Sequence, residues 1–182
     1  AIVKSLSSIN QRSVLLAPTG RAAKVLSKYS KRAAYTIHKK IYRRKSTQNA
    51  LLSFHLAPNL HKNTVFVIDE ASMIGTDSGL SKSGMFGNRD LLEDLMEFVF
   101  SGENCRIMLI GDGAQLPPVG GDQSPALQLG YLRDAFDLTI AQIELTEVVR
   151  QEQNSGILMN ATTIRDQIRL RPESFPYINS DD

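Results

Sequence analysis

The chain has 182 residues, 42% hydrophobic, 22% charged and 7% aromatic, which suits one α/β or α+β domain with a sizeable core. No apolar run approaches the roughly 18–20 residues of a bilayer span, and a single cysteine, Cys105, excludes a disulfide framework and a cysteine-based zinc site. The net charge of +2 hides a division, because residues 1–68 hold 13 of the 21 basic residues and none of the 19 acidic ones. Such a stretch suits a polyanion, since each Lys or Arg can neutralise one phosphate. A solvated basic face would read the same way. The three histidines, His38, His55 and His61, show no metal-ligand spacing. The first residues do not resemble a signal peptide, and a reducing cytoplasm is the expected location.

In chain order, Val14–Ala17 reads as a short strand. Thr19-Gly20 opens a helix through Lys28 with Ala22, Ala23, Val25 and Leu26 apolar. Val65–Ile68 and Ile107–Ile110 are apolar throughout, as buried parallel strands are. Residues 75–88 hold four glycines and little periodicity, so they read as a loop or insertion. Asn88 is placed to cap a helix through about Phe100, with Leu91, Leu92, Leu95, Met96 and Val99 on one face. Ser124-Pro125 reads as a cap followed by Pro at the first helical position. Ile143–Leu145 reads as a last strand, and Asn154-Ser155 as the cap of a last helix bearing Ile157, Leu158, Ala161, Ile164 and Ile168. The tail after Arg171 is expected to fray. Strands alternating with helices predict an α/β fold, a mostly parallel sheet with helices on both faces. Ligands of such sheets bind at the carboxyl ends of the strands. Here those ends carry Pro18-Thr19-Gly20, Asp69-Glu70 and Gly111-Asp112.

Four apolar residues followed by Asp69-Glu70 is how a strand presents one carboxylate to Mg²⁺ and a second to an attacking water. A solvated acidic turn is the plainer reading. Gln115, after Gly111-Asp112-Gly113 and before Pro117-Pro118, is an amide on a stiff turn that can hydrogen-bond a terminal phosphate. Arg150, after Leu145-Thr146-Glu147, can stabilise phosphate charge or serve as an ordinary surface cation. Pro18, Thr19 and Arg21 sit where a strand breaks into a helix, leaving backbone N–H groups and a hydroxyl for an anion. The segment from Thr36 to Lys45 mixes a hydroxyl, His38, Tyr42 and five cations including Lys39 and Lys40, a pattern suited to single-stranded nucleic acid. Within it Tyr42 and His38 read equally as structural residues; His55, His61 and Cys105 read as structural.

Together these segments resemble the first motor domain of a superfamily 1 DNA helicase of the RecD/Dda type, exonuclease V α-subunit-like. LLAPTGRAAKVL is similar to motif Ia, TIHKKIY to the DNA-contacting segment after it, VIDEASMI to motif II, LIGDGAQLPPVG to motif III and LTEVVRQ to motif IV. The resemblance implies a RecA-like P-loop NTPase domain that couples ATP hydrolysis to 5′→3′ movement on single-stranded DNA, in DNA repair or recombination. It implies that Asp69 holds Mg²⁺, Glu70 activates water, Gln115 senses the γ-phosphate and Arg150 binds it. Pro18, Thr19, Arg21, Thr36, His38, Lys39 and Lys40 would touch DNA. The sequence contains no G-x-x-x-x-G-K-[ST], and the Gly-rich residues 75–88 are longer than the usual link. Residues 1–170 are therefore expected to be a partial motor domain, with 171–182 a tail. The P-loop segment, the second RecA-like domain and possible helicase–nuclease subunits would be its partners, with no membrane. The sheet is expected to show a gap or an open edge, and the chain alone to hydrolyse ATP poorly or not at all. The competing expectation is a non-hydrolysing single-stranded-DNA-binding or regulatory module, which would use the same basic first third.

Overall fold

The computed structural model describes residues 2–46, 52–75, 90–145, 160–165 and 167. The chain divides into two units, Ala1–Thr139 and Ile140–Asp182. In the first, a four-stranded parallel sheet has the order β2-β1-β5-β6, built from β1 (Arg12–Ala17), β2 (Ala34–Thr36), β5 (Thr64–Ile68) and β6 (Arg106–Leu109). Helices α1 (Ile2–Ser8), α2 (Gly20–Ser30), α3 (Ile37–Ile41), α4 (Leu91–Phe100) and α5 (Leu129–Phe136) complete it. A separate antiparallel hairpin joins β3 (Tyr42–Ser46) to β4 (Leu52–Leu56), with Tyr42 opposite Leu56. Among the described residues, no helix is long and apolar enough to cross a membrane.

The parallel sheet follows from the two apolar runs at its centre. All five residues of β5 are buried, because it has a strand on each side and packed side chains on each face. Successive residues point to opposite faces. Leu15, Val65 and Val67 face Val3 and Leu6 of α1 and Leu26 of α2. Phe66 faces the other way and meets Phe98 of α4 edge-on, ring centroids 5.8 Å apart. Helices therefore cover both faces.

Some sequence expectations need correction. Helix α4 is capped by Asp90, whose carboxylate accepts the Leu92 N–H at 3.0 Å; Asn88 lies outside the described residues. Ile143–Leu145 forms no strand, and Ile143 and Leu145 are 85% and 80% exposed. A strand needs a ladder partner for its backbone groups, and three alternating residues do not supply one. The Ile107–Ile110 run is a strand but only half-buried, because β6 is an edge of the described sheet. Ser124-Pro125 starts a 3-10 turn, Pro125–Leu127, before α5. Residues 160–165 are helical, as expected for the last helix, whereas Asn154-Ser155, most of residues 75–88 and the tail lie outside the described residues.

Candidate functional site

The carboxyl ends of the four parallel strands carry most of the chemistry-bearing residues. Strand β1 ends at Ala17, and Pro18 and Thr19 turn the chain into α2. Thr19 has extended backbone angles and its hydroxyl accepts the Ala22 N–H at 3.2 Å, so that donor is already satisfied within the helix. Thr36 repeats the arrangement at the end of β2, accepting the Lys39 N–H at 3.2 Å as the cap of α3. Each threonine keeps its own hydroxyl proton to donate outward. Arg21 and Lys24 are exposed on the first turns of α2.

Strand β5 delivers Asp69 and Glu70 half-buried at its tip. Asp69 is held by its backbone, N–H to the Leu16 carbonyl at 2.9 Å, and one carboxylate oxygen accepts the Glu70 N–H at 3.1 Å. Glu70 has φ +56° and ψ +39°, the left-handed region, which costs a residue with a β-carbon about 1–2 kcal/mol. The surrounding bonds impose that conformation. Ala71 N–H reaches the Ile110 carbonyl at 2.8 Å, and the buried Ser124 hydroxyl lies 2.8 Å from the Ala71 carbonyl and 2.5 Å from that of Ile74. At the tip of β6, a β-carbon on Gly111 would lie 2.8 Å from the Ser72 nitrogen. Only glycine lets the two strand tips approach this closely.

Asp112 then organises the following turn. Its carboxylate accepts the Ala114 N–H at 3.1 Å, and its carbonyl accepts the Gln115 N–H at 3.0 Å. Gln115 is exposed, its amide 3.5 Å from the Asp112 carboxylate, in the turn that follows β6, the strand neighbouring β5. Asp69 and Glu70 therefore follow β5 directly and Gln115 lies in the turn after the adjacent β6, while Thr19 follows β1 and Thr36 ends β2. Arg150 lies outside the described residues. Among the described residues no group of three or more His, Cys, Asp or Glu side chains is placed to hold a metal ion.

The segment after Thr36 departs from a uniform basic strip. Tyr42 is 8% exposed and its hydroxyl donates to the Asp94 carboxylate of α4 at 2.6 Å, so this ring belongs to the core. His38 is half-buried against it, ring centroids 5.7 Å apart, and burial lowers its pKa below the ordinary 6.5. Burial thus disfavours its charged form. Burial, with the nearby Arg43, also lowers the pKa of Lys40. Lys39 is exposed, its ammonium 5.8 Å from the Tyr35 ring centroid. Tyr35 is 40% exposed, and it supplies the accessible aromatic ring that Tyr42 does not. Sequence reasoning missed Tyr35; the available signal was its place on a short strand immediately before Thr36.

Over residues 1–169 the chain matches the sequence profile of a protein family described as AAA domain. It is also 32% identical over 169 residues to a protein of Enterobacteria phage T4 named ATP-dependent DNA helicase dda, covering 91% of this chain and 34% of that protein. The chain thus spans about a third of the length of that relative.

Proposed function

Because the chain belongs to the AAA domain family, we propose that it is part of the first RecA-like motor domain of an ATP-dependent DNA helicase. The observation that carries this reading is the shared edge: Asp69 and Glu70 stand at the tip of β5, the turn bearing Gln115 follows the neighbouring β6, and the threonine-capped turns at Thr19 and Thr36 follow on the same edge. The named helicase relative supports DNA and ATP as the ligands.

Asp69 and Glu70 offer the hard carboxylate oxygens that Mg²⁺ takes, and one Asp69 oxygen remains after the other accepts the Glu70 N–H. When bound, the ion neutralises charge on the β- and γ-phosphates. Asp69 holds it, directly or through water. Glu70, turned out of the strand by its left-handed backbone, orients the attacking water and accepts its proton. Gln115 hydrogen-bonds the γ-phosphate or that water, and Arg150 binds the γ-phosphate. Thr19, Arg21, Thr36, Lys39 and Lys40 hold single-stranded DNA through hydroxyl protons and cations, with Pro18 in apolar contact and the His38 ring as a further hydrogen-bonding partner.

The sequence contains no phosphate-cradling loop. In this reading that loop, its Lys and the second motor domain come from parts of the protein outside these residues, and residues 1–170 form a partial domain. The edge strand β6, apolar and half-buried, is where a further strand would pair. RecD-type work in repair or recombination, 5′→3′ movement, nuclease subunits as partners and a cytoplasmic location follow from the same reading. The test uses the 182-residue chain. It should bind a single-stranded oligonucleotide with steep weakening as salt rises and show no ATP turnover at helicase rates. Salt-independent DNA binding, or full turnover by this chain, overturns the proposal.

A further inference from the structure

A cleft of about 400 Å³ opens at the amino edge of the sheet, where β1 and β5 begin. Asp69 and Glu70 lie at the other ends of these strands, about 15 Å away at a rise of roughly 3.3 Å per residue. The cleft is therefore separate from the site described above, and the inference does not rest on the proposed ATPase. Arg12, Arg32, Lys62, His61, Val14 and Leu60 line it, and no acidic residue does.

The three cations differ in how they are held. Both terminal nitrogens of Arg32 are fixed on Ser13, one to its hydroxyl at 2.7 Å and one to its carbonyl at 2.9 Å. Its remaining N–H donors are thus presented in a set orientation, with little side-chain freedom left to lose on binding. Arg12 is exposed at the start of β1. Lys62 is paired with Glu103, so a carboxylate already rests against this cluster. His61 packs edge-on against Phe66, and burial, with Lys40 nearby, lowers its pKa.

Beside these cations stands an apolar element that a bare phosphate does not need. Leu60 is 85% exposed and Val14 is half-buried. Charge complementarity and the exposed leucine together fit a peptide better than a nucleic acid strand. We infer that this cleft docks an acidic peptide segment of a partner protein, its carboxylates held by Arg12 and Arg32 and an apolar side chain seated on Leu60 and Val14.

The test is fluorescence anisotropy on the full 182-residue chain at low salt, with a labelled peptide of Asp and Glu residues surrounding one Leu. Its counterpart carries Asn and Gln at the acidic positions. The acidic peptide should bind saturably and the amide version at least tenfold more weakly. Arg12→Glu should weaken binding about tenfold or more, and Leu60→Ser about threefold; both side chains are exposed, and unchanged thermal melts show that the fold is kept. Absence of saturable binding, or binding that neither substitution alters, overturns the inference. So does a single-stranded oligonucleotide that displaces the peptide and loses affinity equally with Arg12→Glu, since the cleft is then a nucleic-acid site.

Discussion

Replacing Tyr42 by Phe removes one hydroxyl and leaves the ring in place. That hydroxyl donates to the Asp94 carboxylate at 2.6 Å across 52 positions of sequence, and the two residues are 8% and 3% exposed. A hydrogen bond to a carboxylate contributes about 1.5–3 kcal/mol. The expected cost is therefore about 2 kcal/mol, with no large cavity to add to it. In urea unfolding, an m-value of roughly 2 kcal/mol/M moves the midpoint down by about 1 M with the slope unchanged. Asp94→Asn keeps an acceptor oxygen and should cost less. Combined with Tyr42→Phe it should cost less than the two singles summed, since they share one bond. A midpoint shift below about 0.3 M for Tyr42→Phe, or strict additivity, refutes the reasoning. Because Tyr42 starts β3 and packs on His38, the same bond anchors the basic hairpin and the imidazole to α4.

Gly111→Ala forces a β-carbon against the Ser72 nitrogen at 2.8 Å and a Leu127 methyl at 3.0 Å, and should cost about 1–3 kcal/mol, read as a melting temperature lowered by roughly 3 °C or more. Burial lowers the pKa values of His38 and His61, with Lys40 adding to the effect at His61. The unfolded chain therefore binds more protons than the folded one as pH falls through 6.5, and stability should drop between pH 7 and 5.5. Urea midpoints across that range check this, and His38→Gln and His61→Gln should each flatten the dependence. Arg21→Ala should reduce the slope of log affinity for single-stranded DNA against log salt by about 0.7.

Much of the fold was legible because local chemistry and tertiary need agreed. The apolar run Val65–Ile68 is the fully buried central strand, and Ser124 and Thr19 cap where a hydroxyl before a helical turn is expected to. Asp69-Glu70 and Gly111-Asp112 stand at the strand tips for the same reason, an abrupt change from apolar to polar residues. Other features depend on distant partners. The fate of Tyr42 is decided by Asp94, and the half-burial of β6 by its edge position. The hairpin β3–β4 escaped notice because Tyr42–Ser46 is dominated by cations instead of alternating apolar residues. Asn88 and Asp90 are both competent caps in sequence, and the structure uses Asp90, next to the first buried residue Leu91. The left-handed backbone of Glu70 carries no signal in a residue type that normally avoids it.

The proposed function places a phosphate-binding loop and a second motor domain outside these residues, and its most direct test is DNA-stimulated ATP turnover by a protein that carries them together with this chain, comparing wild type with Glu70→Gln. Glutamine keeps the size of the side chain and one acceptor oxygen but cannot take a proton from water. The account predicts turnover reduced at least a hundredfold, with ATP and single-stranded DNA still bound at near wild-type affinity. Turnover within about twofold of wild type, in protein that binds both ligands normally, contradicts it.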